Sequence, residues 1–402
     1  MVTVAEAEKI IQSTARDYGT ETVPFQQASG RVLAEDLKAD RDLPPYNRAT
    51  MDGIAIRYKA YETGIKTFTI KATQAAGDEP KEISNLDECI EIMTGAALPE
   101  TTDTIIRYED LEIKNKTARL LIDAIKQGQN IHRKGADKKQ GGVVVNANEI
   151  VTPAIISMAA SVGKADLVVK KNPKVVIIST GDELVEVNET PTPYQIRRSN
   201  NYTIKGILAQ HGLDADMLHI PDEPSAIAKQ IKVCLKQRDV IILSGGISMG
   251  KFDYLPKALE ELGVEKLFHK VQQRPGKPFW FGKHSNGTIV FAFPGNPVST
   301  FMCLNRYFIS WLKASLGLAT PTPLYAVLAS DFTFTPALQY FLQVALSVNE
   351  NAQIIATPVE GNGSGDFANL VDSDAFMELP AERNNFMKGE VFRAWPFKNV
   401  FE

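Results

Sequence analysis

The chain has 402 residues, a length that one hydrophobic core does not usually support and that favours about two to four domains. Hydrophobic residues make up 44% of the sequence and charged residues 23%, as in ordinary folded proteins, and the net charge of −4 argues against a nucleic-acid or membrane surface. Cys89, Cys234 and Cys303 are widely spaced, so we expect three buried thiols, with no disulfide framework or zinc site. The N-terminal segment lacks the basic residues of a signal peptide, and we expect a cytoplasmic protein.

A helical region is predicted at the start of the chain. Thr3 and Glu6 are spaced as a capping box, which predicts a helix over residues 4–18. A second helix-like run passes through Val32 and Leu33.

Residues 47–140 predict a small β domain. Short strand-like runs occur at 68–70 and 89–93, and the polar residues 114–116 indicate a hairpin turn. A further helix is predicted over 152–162, so the β domain is expected to be an insertion within the helical region.

From residue 172 onward, strands and helices alternate. Continuous apolar strands at 174–178, 239–243 and 288–293 predict a parallel sheet that is covered on both faces. After a proline-rich linker at 320–323, short strand patterns predict a small β-barrel.

The predicted fold class is multidomain α/β, with a helical domain that carries an inserted β domain, a three-layer α/β domain with a mostly parallel sheet, and a C-terminal β-barrel. The predicted boundaries are 1–46 and 141–171 for the two segments of the helical domain, 47–140 for the inserted β domain, 172–319 for the α/β domain and 320–402 for the barrel.

The stretch from Gly245 to Asp253 (GGISMGKFD) is close to a phosphate-binding loop. Gly245 to Lys251 fits the first seven positions of the G-x-x-x-x-G-K-[ST] pattern, but Phe252 stands where the eighth position needs a hydroxyl for Mg²⁺. Asp253 follows directly and can supply a carboxylate instead. We therefore reject a P-loop and expect a glycine cradle with its own acid.

Three loops follow predicted strands and should open at one edge of the sheet, because ligands of open parallel sheets bind at the carboxyl ends of the strands. The loops lie at residues 179–183, 245–253 and 294–299. Asp182, Glu183 and Asp253 supply carboxylates without a local cation, which is typical of Mg²⁺ held together with a phosphate. A helix cap is the alternative role for Asp253.

A basic loop contains Arg274 and Lys277, stiffened by Pro275 and Pro278. Cations held rigidly near the same edge would attract an oxyanion or a phosphate. The alternative is an exposed basic turn.

Seven short motifs follow one another along the chain. They are PPYNRATMDGIA at 44–55, MTGAALP at 93–99, STGDEL at 179–184, SGGISMGKFDY at 244–254, RPGKP at 274–278, PGNPVS at 294–299 and GSGDF at 363–367. In this order they resemble the molybdopterin molybdenumtransferases, the enzymes of the last step of molybdenum-cofactor synthesis, which are related to the E domain of gephyrin.

This resemblance implies an α/β molybdopterin-binding domain within the four-domain layout and an elongated homodimer. It implies that molybdate and adenylylated molybdopterin are the substrates, that molybdenum enters the dithiolene with release of AMP, and that Mg²⁺ assists. Other proteins of cofactor biosynthesis are expected partners, whereas nucleic acid and membrane are not.

The resemblance also implies the residues of the site. Catalytic roles are expected for Asp52, Asp137, Asp182, Glu183, Asp253 and Lys277. The expected Mg²⁺ ligands are Asp182, Glu183 and Asp253. Substrate contacts are expected from Thr180, Gly181, Gly245, Gly246, Ser248, Gly250, Arg274, Pro294, Gly295, Asn296, Pro297, Ser299 and Ser364. Asp52 is expected to reach the site across the dimer.

The sequence departs from the family pattern at a few positions. Leu338 and Gln343 stand where the family often has arginines, and Arg274 stands where it has lysine. Arg48 adds a charge close to Asp52 in the chain. If the missing arginines help to hold molybdate, this chain must use another cation or bind the ion more weakly.

Two other functions remain open at this point. A non-catalytic molybdopterin-binding scaffold is compatible with the missing arginines, and a nucleotide hydrolase or deamidase could use the same α/β fold. The joint presence of Asp52, Asp182, Glu183 and Asp253 favours catalysis. The sequence does not distinguish molybdate from tungstate.

Overall fold

The computed structural model describes residues 1–247, 254–319, 322–359, 361, 363, 365 and 367–398. The chain divides into two compact units. The first, here called the main unit, comprises Met1–Thr22, Gly30–Ala34 and Val168–Glu402, and the second, here called the inserted unit, comprises Val23–Ser29 and Glu35–Leu167. This division is coarser than four domains, so the four predicted boundaries stay a prediction.

The helices are short, and none in the described part of the chain could cross a bilayer. In chain order they are α1 (Val4–Gln12), α2 (Tyr58–Glu62), α3 (Pro153–Ser161), α4 (Asn200–Gln210), α5 (Pro224–Gln237), α6 (Leu255–Glu261), α7 (Pro297–Cys303) and α8 (Ile309–Ser315). A π-helical turn, Leu304–Phe308, joins α7 to α8, and 3₁₀ turns occupy Phe25–Gln27, Tyr108–Asp110 and Ala368–Leu370.

The strands fall into sheets of two or six strands. Up to residue 170 they are β1 (Thr20–Pro24), β2 (Leu37–Lys38), β3 (Arg48–Ala49), β4 (Gly53–Ile56), β5 (Thr67–Gln74), β6 (Glu88–Ile92), β7 (Thr104–Arg107), β8 (Leu111–Lys114), β9 (Thr117–Leu120), β10 (Ile131–His132), β11 (Val143–Val145) and β12 (Asp166–Lys170). Beyond it they are β13 (Val175–Thr180), β14 (Leu184–Val185), β15 (Ile196–Arg197), β16 (Ala215–Ile220), β17 (Val240–Ser244), β18 (Val264–His269), β19 (Gln273–Arg274), β20 (Trp280–His284), β21 (Ile289–Phe293), β22 (Leu324–Leu328), β23 (Phe332–Thr333), β24 (Gln339–Val348), β25 (Ile354–Pro358), β26 (Ala375–Leu379), β27 (Asn385–Phe386) and β28 (Val391–Pro396).

The first helix confirms the predicted capping box but is shorter than predicted. The Thr3 hydroxyl accepts from the Glu6 backbone N–H (3.2 Å), and the Glu6 carboxylate accepts from the Thr3 N–H (2.8 Å). The predicted end at residue 18 is wrong, because the helix stops at Gln12. The hydroxyls of Ser13 and Thr14 donate to carbonyl oxygens of the preceding turn, both at 2.7 Å, and so compete with continued helix formation.

The helix-like run predicted through Val32 and Leu33 is also wrong. Leu33 forms a β-bridge with Val169, and the Lys170 N–H donates to the Val32 carbonyl at 2.7 Å. Both residues are buried in extended backbone. Pairing with a distant segment therefore overrides the local apolar pattern.

The inserted unit is built on a six-stranded sheet, as the short β patterns predicted. Its strand order is β7-β4-β6-β5-β9-β8. The predicted hairpin joins β8 to β9 through Asn115 and Lys116, which have φ angles of 49° and 59°. Ile54, Phe68 and Ile106 are fully buried between this sheet and the segments that cover it.

The main unit contains a second six-stranded sheet, with the order β16-β13-β17-β21-β20-β18. The strands β16, β13, β17 and β21 are parallel, β20 runs antiparallel to β21, and β18 runs antiparallel to β20. Alternate residues of β13 face two different hydrophobic clusters, Ile177 with α4 and α7 and Ile178 with α5 and α6. Helices therefore cover both faces, and the strand-end loops are left open at one edge.

The C-terminal strands form a closed barrel, as predicted. The five strands follow the ring β24-β25-β22-β28-β26, and a further pairing of β26 with β24 closes it. The short strand β19 adds to β24 in parallel, with Gln273 opposite Gln339. Because β19 belongs to the basic loop before β20, the barrel lies directly beside that loop.

Gly53 occupies a position in β4 where no side chain fits. A Cβ there would lie 1.8 Å from the carbonyl oxygen of Ile106 on the neighbouring strand β7. We expect Gly53→Ala to lower the free energy of unfolding by about 1–3 kcal/mol or more, because two backbone segments must move apart. Urea denaturation followed by circular dichroism measures this loss.

Gly206 is the matched control, because it lies within α4 and a Cβ there would meet nothing within 4 Å. Gly206→Ala should stabilise the protein by about 0.5–1 kcal/mol. A Gly53→Ala protein as stable as the wild type would contradict the close approach of β4 and β7.

Candidate functional site

Three strand-end loops meet at the carboxyl edge of the main sheet. The Gly245 N–H donates to the carbonyl oxygen of Phe293 at 3.1 Å, which joins the loop after β17 to the end of β21. A Cβ on Gly246 would lie 2.9 Å from the hydroxyl of Thr180, and a Cβ on Gly295 would lie 3.6 Å from the Gly245 Cα. Gly245 and Gly246 have φ angles of 96° and 67°, which strain any other residue. The first two glycines of the expected cradle therefore lie at this edge, and their role in binding stays a prediction.

Two asparagines at the start of α4 hold these loops together. The Asn200 amide donates to the Ser244 hydroxyl (2.9 Å) and to the Gly295 carbonyl (2.8 Å). The buried Asn201 amide donates to the Ser179 hydroxyl at 3.1 Å. The sequence analysis missed both residues. Polar residues at the start of a helix that follows a strand-end loop were the available signal.

Carboxylates gather beside the first loop. The backbone N–H of Asp222, which lies in the loop after β16, donates to the Asp182 carboxylate at 3.2 Å. The Glu183 carboxylate folds back over Gly181, where a Cβ would lie 2.4 Å from it. Burial, followed by the charges of Asp182 and Glu183, raises the pKa of Asp222. Asp222 was missed because its strand carries no recognisable motif.

His219 also contributes to this edge. Its Nδ1 lies 3.1 Å from the hydroxyl of Ser179. Burial, with the charge of Arg198 second, lowers the pKa of His219, which favours the neutral ring. Arg198 forms an ion pair with Glu186, a further acid near the first loop.

The predicted Mg²⁺ site stays a prediction, because Asp253, one of its three expected ligands, lies outside the described residues. In the described residues, no group of three or more His, Cys, Asp or Glu side chains is arranged to hold a metal ion. Asp182 and Glu183 are exposed at the edge, and their charges, after burial, contribute to the raised pKa of Asp222. This donor set fits Mg²⁺, which usually takes one or two carboxylates together with phosphate oxygens.

Four predicted site residues fall outside the described part of the chain. They are Ser248, Gly250, Asp253 and Ser364. Their roles stay predictions.

The basic loop lies at the same edge. Trp280, the first residue of β20, pairs with Ala292 near the end of β21, so the loop that precedes β20 ends beside the end of β21. Lys277 is exposed in this loop. Arg274 is also exposed, and its guanidinium lies 5.9 Å from the ring centroid of Phe334 beside the barrel.

The third loop is fixed by the first turn of α7. The Thr300 hydroxyl donates to the Pro294 carbonyl at 2.6 Å. Pro297 stands at the start of the helix, and Asn296 is its N-cap residue. Ser299 is 3% exposed, so its side chain is enclosed by the protein rather than open to solvent.

Asp52 and Asp137 belong to the inserted unit. The Asp52 carboxylate accepts from the Thr94 N–H (2.6 Å) and hydroxyl (2.8 Å), and the backbone bond, followed by the hydroxyl, lowers the pKa of Asp52. These bonds join the MDG and MTG motifs. The Asp137 carboxylate lies 2.9 Å from His132 Nε2, and Arg48 Nη2 lies 3.1 Å from His132 Nδ1. Arginine is always a donor, so Nδ1 accepts and Nε2–H donates to Asp137.

Leu338 and Gln343, which stand where the family often has arginines, both contact other residues of the barrel. Leu338 packs against its hydrophobic core. The Gln343 side chain lies 3.5 Å from the Ser373 hydroxyl, which donates to it. Neither residue supplies a positive charge.

Comparisons with known proteins cover nearly the whole chain. The family described as MoeA N-terminal region (domain I and II) matches residues 2–163, the probable molybdopterin binding domain matches 176–314, and the MoeA C-terminal region (domain IV) matches 325–397. A molybdopterin molybdenumtransferase of Synechocystis is 38% identical, with 98% of this chain and 99% of that protein covered. One of Haemophilus influenzae is 32% identical, with full coverage of both chains. The crystal structure of a molybdopterin biosynthesis MoeA protein from Pyrococcus horikoshii matches with a TM-score of 0.83 at 28% identity, covering 99% of this chain and 100% of that chain.

The Asn200 contacts predict a measurable role for this side chain. Asn200→Ala removes the donor that joins Ser244 to Gly295, and we expect a loss of about 1–3 kcal/mol in unfolding free energy. Hydrogen exchange at the Gly245 and Gly295 amides should also become faster.

Gln210→Ala at the other end of α4 is the control, because this side chain is exposed. It should leave both the stability and the exchange rates near their wild-type values. Unchanged exchange in Asn200→Ala would show that the loops keep their positions without this side chain.

Proposed function

Because this chain belongs to the molybdopterin molybdenumtransferase family, we propose that its strand-end loops bind adenylylated molybdopterin and molybdate and that AMP leaves as molybdenum enters the dithiolene. The family membership makes the chain a transferase of molybdenum-cofactor biosynthesis. The observation that carries the finer proposal is the meeting of Thr180, Gly245 and Gly295 at one sheet edge.

The glycine loops suit the phosphates of the nucleotide. Gly245 and Gly246 have positive φ angles that disfavour any side chain, so a ligand can approach the backbone of this loop closely. The Thr180 hydroxyl, 5% exposed, lies directly against this cradle. Backbone N–H groups in such loops bind anions.

The charged side chains suit two anionic substrates. Molybdate and the pyrophosphate bridge both carry negative charge, and Lys277 and Arg274 are exposed cations at the basic loop. Asp182, Glu183 and Asp253 are the residues that would hold Mg²⁺, whose charge would offset that of the phosphoanhydride. Lys277 then orients molybdate, in place of the arginines that the barrel lacks.

We propose that the protein acts as a homodimer, in which each copy contributes residues to the other copy's site. Asp52 and Asp137 lie in the inserted unit and would reach the loops of a second copy. The hydrogen bond to His132 holds Asp137 in one orientation, and the Thr94 bonds keep Asp52 ionised. We further propose a cytoplasmic protein that exchanges its pterin substrates with other proteins of cofactor biosynthesis.

The first test is release of AMP by the purified protein. With adenylylated molybdopterin, molybdate and Mg²⁺, we expect AMP and active cofactor from the wild type. Asp253→Ala, Asp182→Ala and Lys277→Ala should each lower the rate by about 10²-fold or more, because charge stabilisation at the phosphoanhydride or the oxyanion is lost. Removal of Mg²⁺ by EDTA should do the same.

Asp214→Asn and Lys236→Met are matched controls, because these side chains are exposed and lie just before the starts of β16 and β17, at the end of the sheet opposite the loops. Both should keep the wild-type rate. Tight binding of the pterin without any AMP release would support a scaffold instead. AMP release that needs no molybdate and yields no cofactor would support a hydrolase.

A mixed dimer tests the contribution of the second copy. Asp52→Ala and Lys277→Ala proteins should each be inactive, because every site lacks one residue. If Asp52 acts across the dimer, unfolding and refolding an equal mixture should restore about a quarter of the wild-type rate, since half of the dimers then carry one intact site. A mixture that stays inactive while forming mixed dimers would place Asp52 and Lys277 in the same copy's site.

A further inference from the structure

A cavity of about 1010 Å³ lies within the main unit, away from the strand-end loops. It is bordered by the end of α4, by α8 and by β28, with His211, Lys313 and Arg393 among its lining residues. The helix α4 begins at the loops with Asn200 and ends at this cavity after eleven residues, about 16 Å away at the rise of an α-helix. We call it the distal cavity.

Lys313 is a half-buried cation without a counter-charge. Among the described residues its ammonium group has no hydrogen-bond or ion-pair partner, although burial lowers its pKa. His211 lies close enough that the charge of Lys313, after burial, lowers the pKa of the imidazole. An unpaired charge in such a place costs free energy unless an anion matches it.

Arg393 is a second cation of the cavity, and the acid on which its charge acts, Glu8, is bound by Arg306. Its Nε atom is buried and has no hydrogen-bond partner in the described residues. Its guanidinium lies 3.8 Å from the ring centroid of Trp395, and that of Arg306 lies 3.9 Å from the same centroid. Arg306 is neutralised by a bidentate pair with Glu8, at 3.1 and 2.8 Å. The stack therefore holds Arg393 rigidly, and the Glu8 carboxylate on which its charge acts is shared with Arg306.

The remaining charges of the distal cavity are already paired. Glu8 is the one acid among its described lining residues, and it is committed to Arg306. Lys398 is paired with Asp374 at 3.4 Å. Lys313 and Arg393 are thus the groups that an incoming anion would meet.

We propose that the distal cavity binds a phosphorylated small molecule, with Lys313 and Arg393 as its charge partners. Lysine and arginine together suit a phosphate, which offers several acceptor oxygens and about two negative charges. The volume is close to the upper end of the roughly 300–1,000 Å³ typical of small-molecule sites, so it accommodates an organic phosphate rather than a bare inorganic ion. This site is separate from the proposed transfer site and does not depend on it.

Calorimetric titration of the full chain with AMP, and separately with inorganic pyrophosphate, tests the proposal. Because the strand-end loops are also expected to bind phosphates, the titration is made in wild type and in Lys277→Ala. We expect a binding event that persists in Lys277→Ala and weakens on the order of tenfold or more in Lys313→Met and in Arg393→Met. Lys313→Arg should retain it, because the charge is kept.

Lys257→Met is the control for loss of one exposed lysine and should bind as the wild type does. In phosphate-free buffer, the melting temperature of Lys313→Met should equal or exceed that of the wild type, because an unmatched buried charge has been removed. Added AMP should raise the melting temperature of the wild type. It should not raise that of the double variant that carries both Lys313→Met and Lys277→Ala.

Three results would overturn the proposal. Binding that disappears in Lys277→Ala and is untouched in Lys313→Met would assign all phosphate binding to the strand-end loops. If neither AMP nor pyrophosphate shows Lys313-dependent binding at concentrations up to millimolar, the cavity does not bind phosphorylated small molecules. Binding of citrate, but of neither phosphate, in a Lys313-dependent manner would identify a carboxylate site instead.

Discussion

The close approach of three backbone segments at one sheet edge is the constraint on which the site depends. The bond from the Gly245 N–H to the Phe293 carbonyl ties two of these loops together, and the positive φ angles of Gly245 and Gly246 strain any residue with a side chain. The parallel order of β13, β17 and β21 brings their ends together, and glycine permits the contact. Asn200 then bridges the loops from α4, so the cradle is positioned by a rigid helix rather than by flexible segments.

Charge separation gives the edge its chemistry. Asp182 and Glu183 lie beside Asp222, whose pKa is raised by burial and then by their charges, whereas Lys277 and Arg274 occupy the loop before β20. A bound cation would balance the charge of the acidic side chains, and a bound anion would balance that of the basic side chains. The proposed reaction supplies both, as Mg²⁺ bound with phosphates and as molybdate. Closely spaced like charges of this kind reduce stability in the free protein, and the proposed substrates and metal would relieve that cost.

The sequence predicted the parts of the fold that local patterns determine. The buried strands β13, β17 and β21, the closed barrel and the capping box at Thr3 are confirmed, because alternation and capping chemistry are local signals. The extended conformation at Val32 depends on pairing with β12, a distant strand, and was not predictable from the local pattern. The same holds for His219 and Asp222, which reach the site from β16 and the loop after it, where the sequence carries no motif. Their roles become visible only when the sheet order is known.

The location of the bound pterin nucleotide tests the central claim most directly. A crystal structure of the full chain soaked with adenylylated molybdopterin should show the phosphates against the backbone of Gly245 and Gly246, within hydrogen-bond distance of Thr180. Metal density should lie between those phosphates and Asp182. A pterin nucleotide found away from the three loops, with the cradle of glycines empty, would contradict the account.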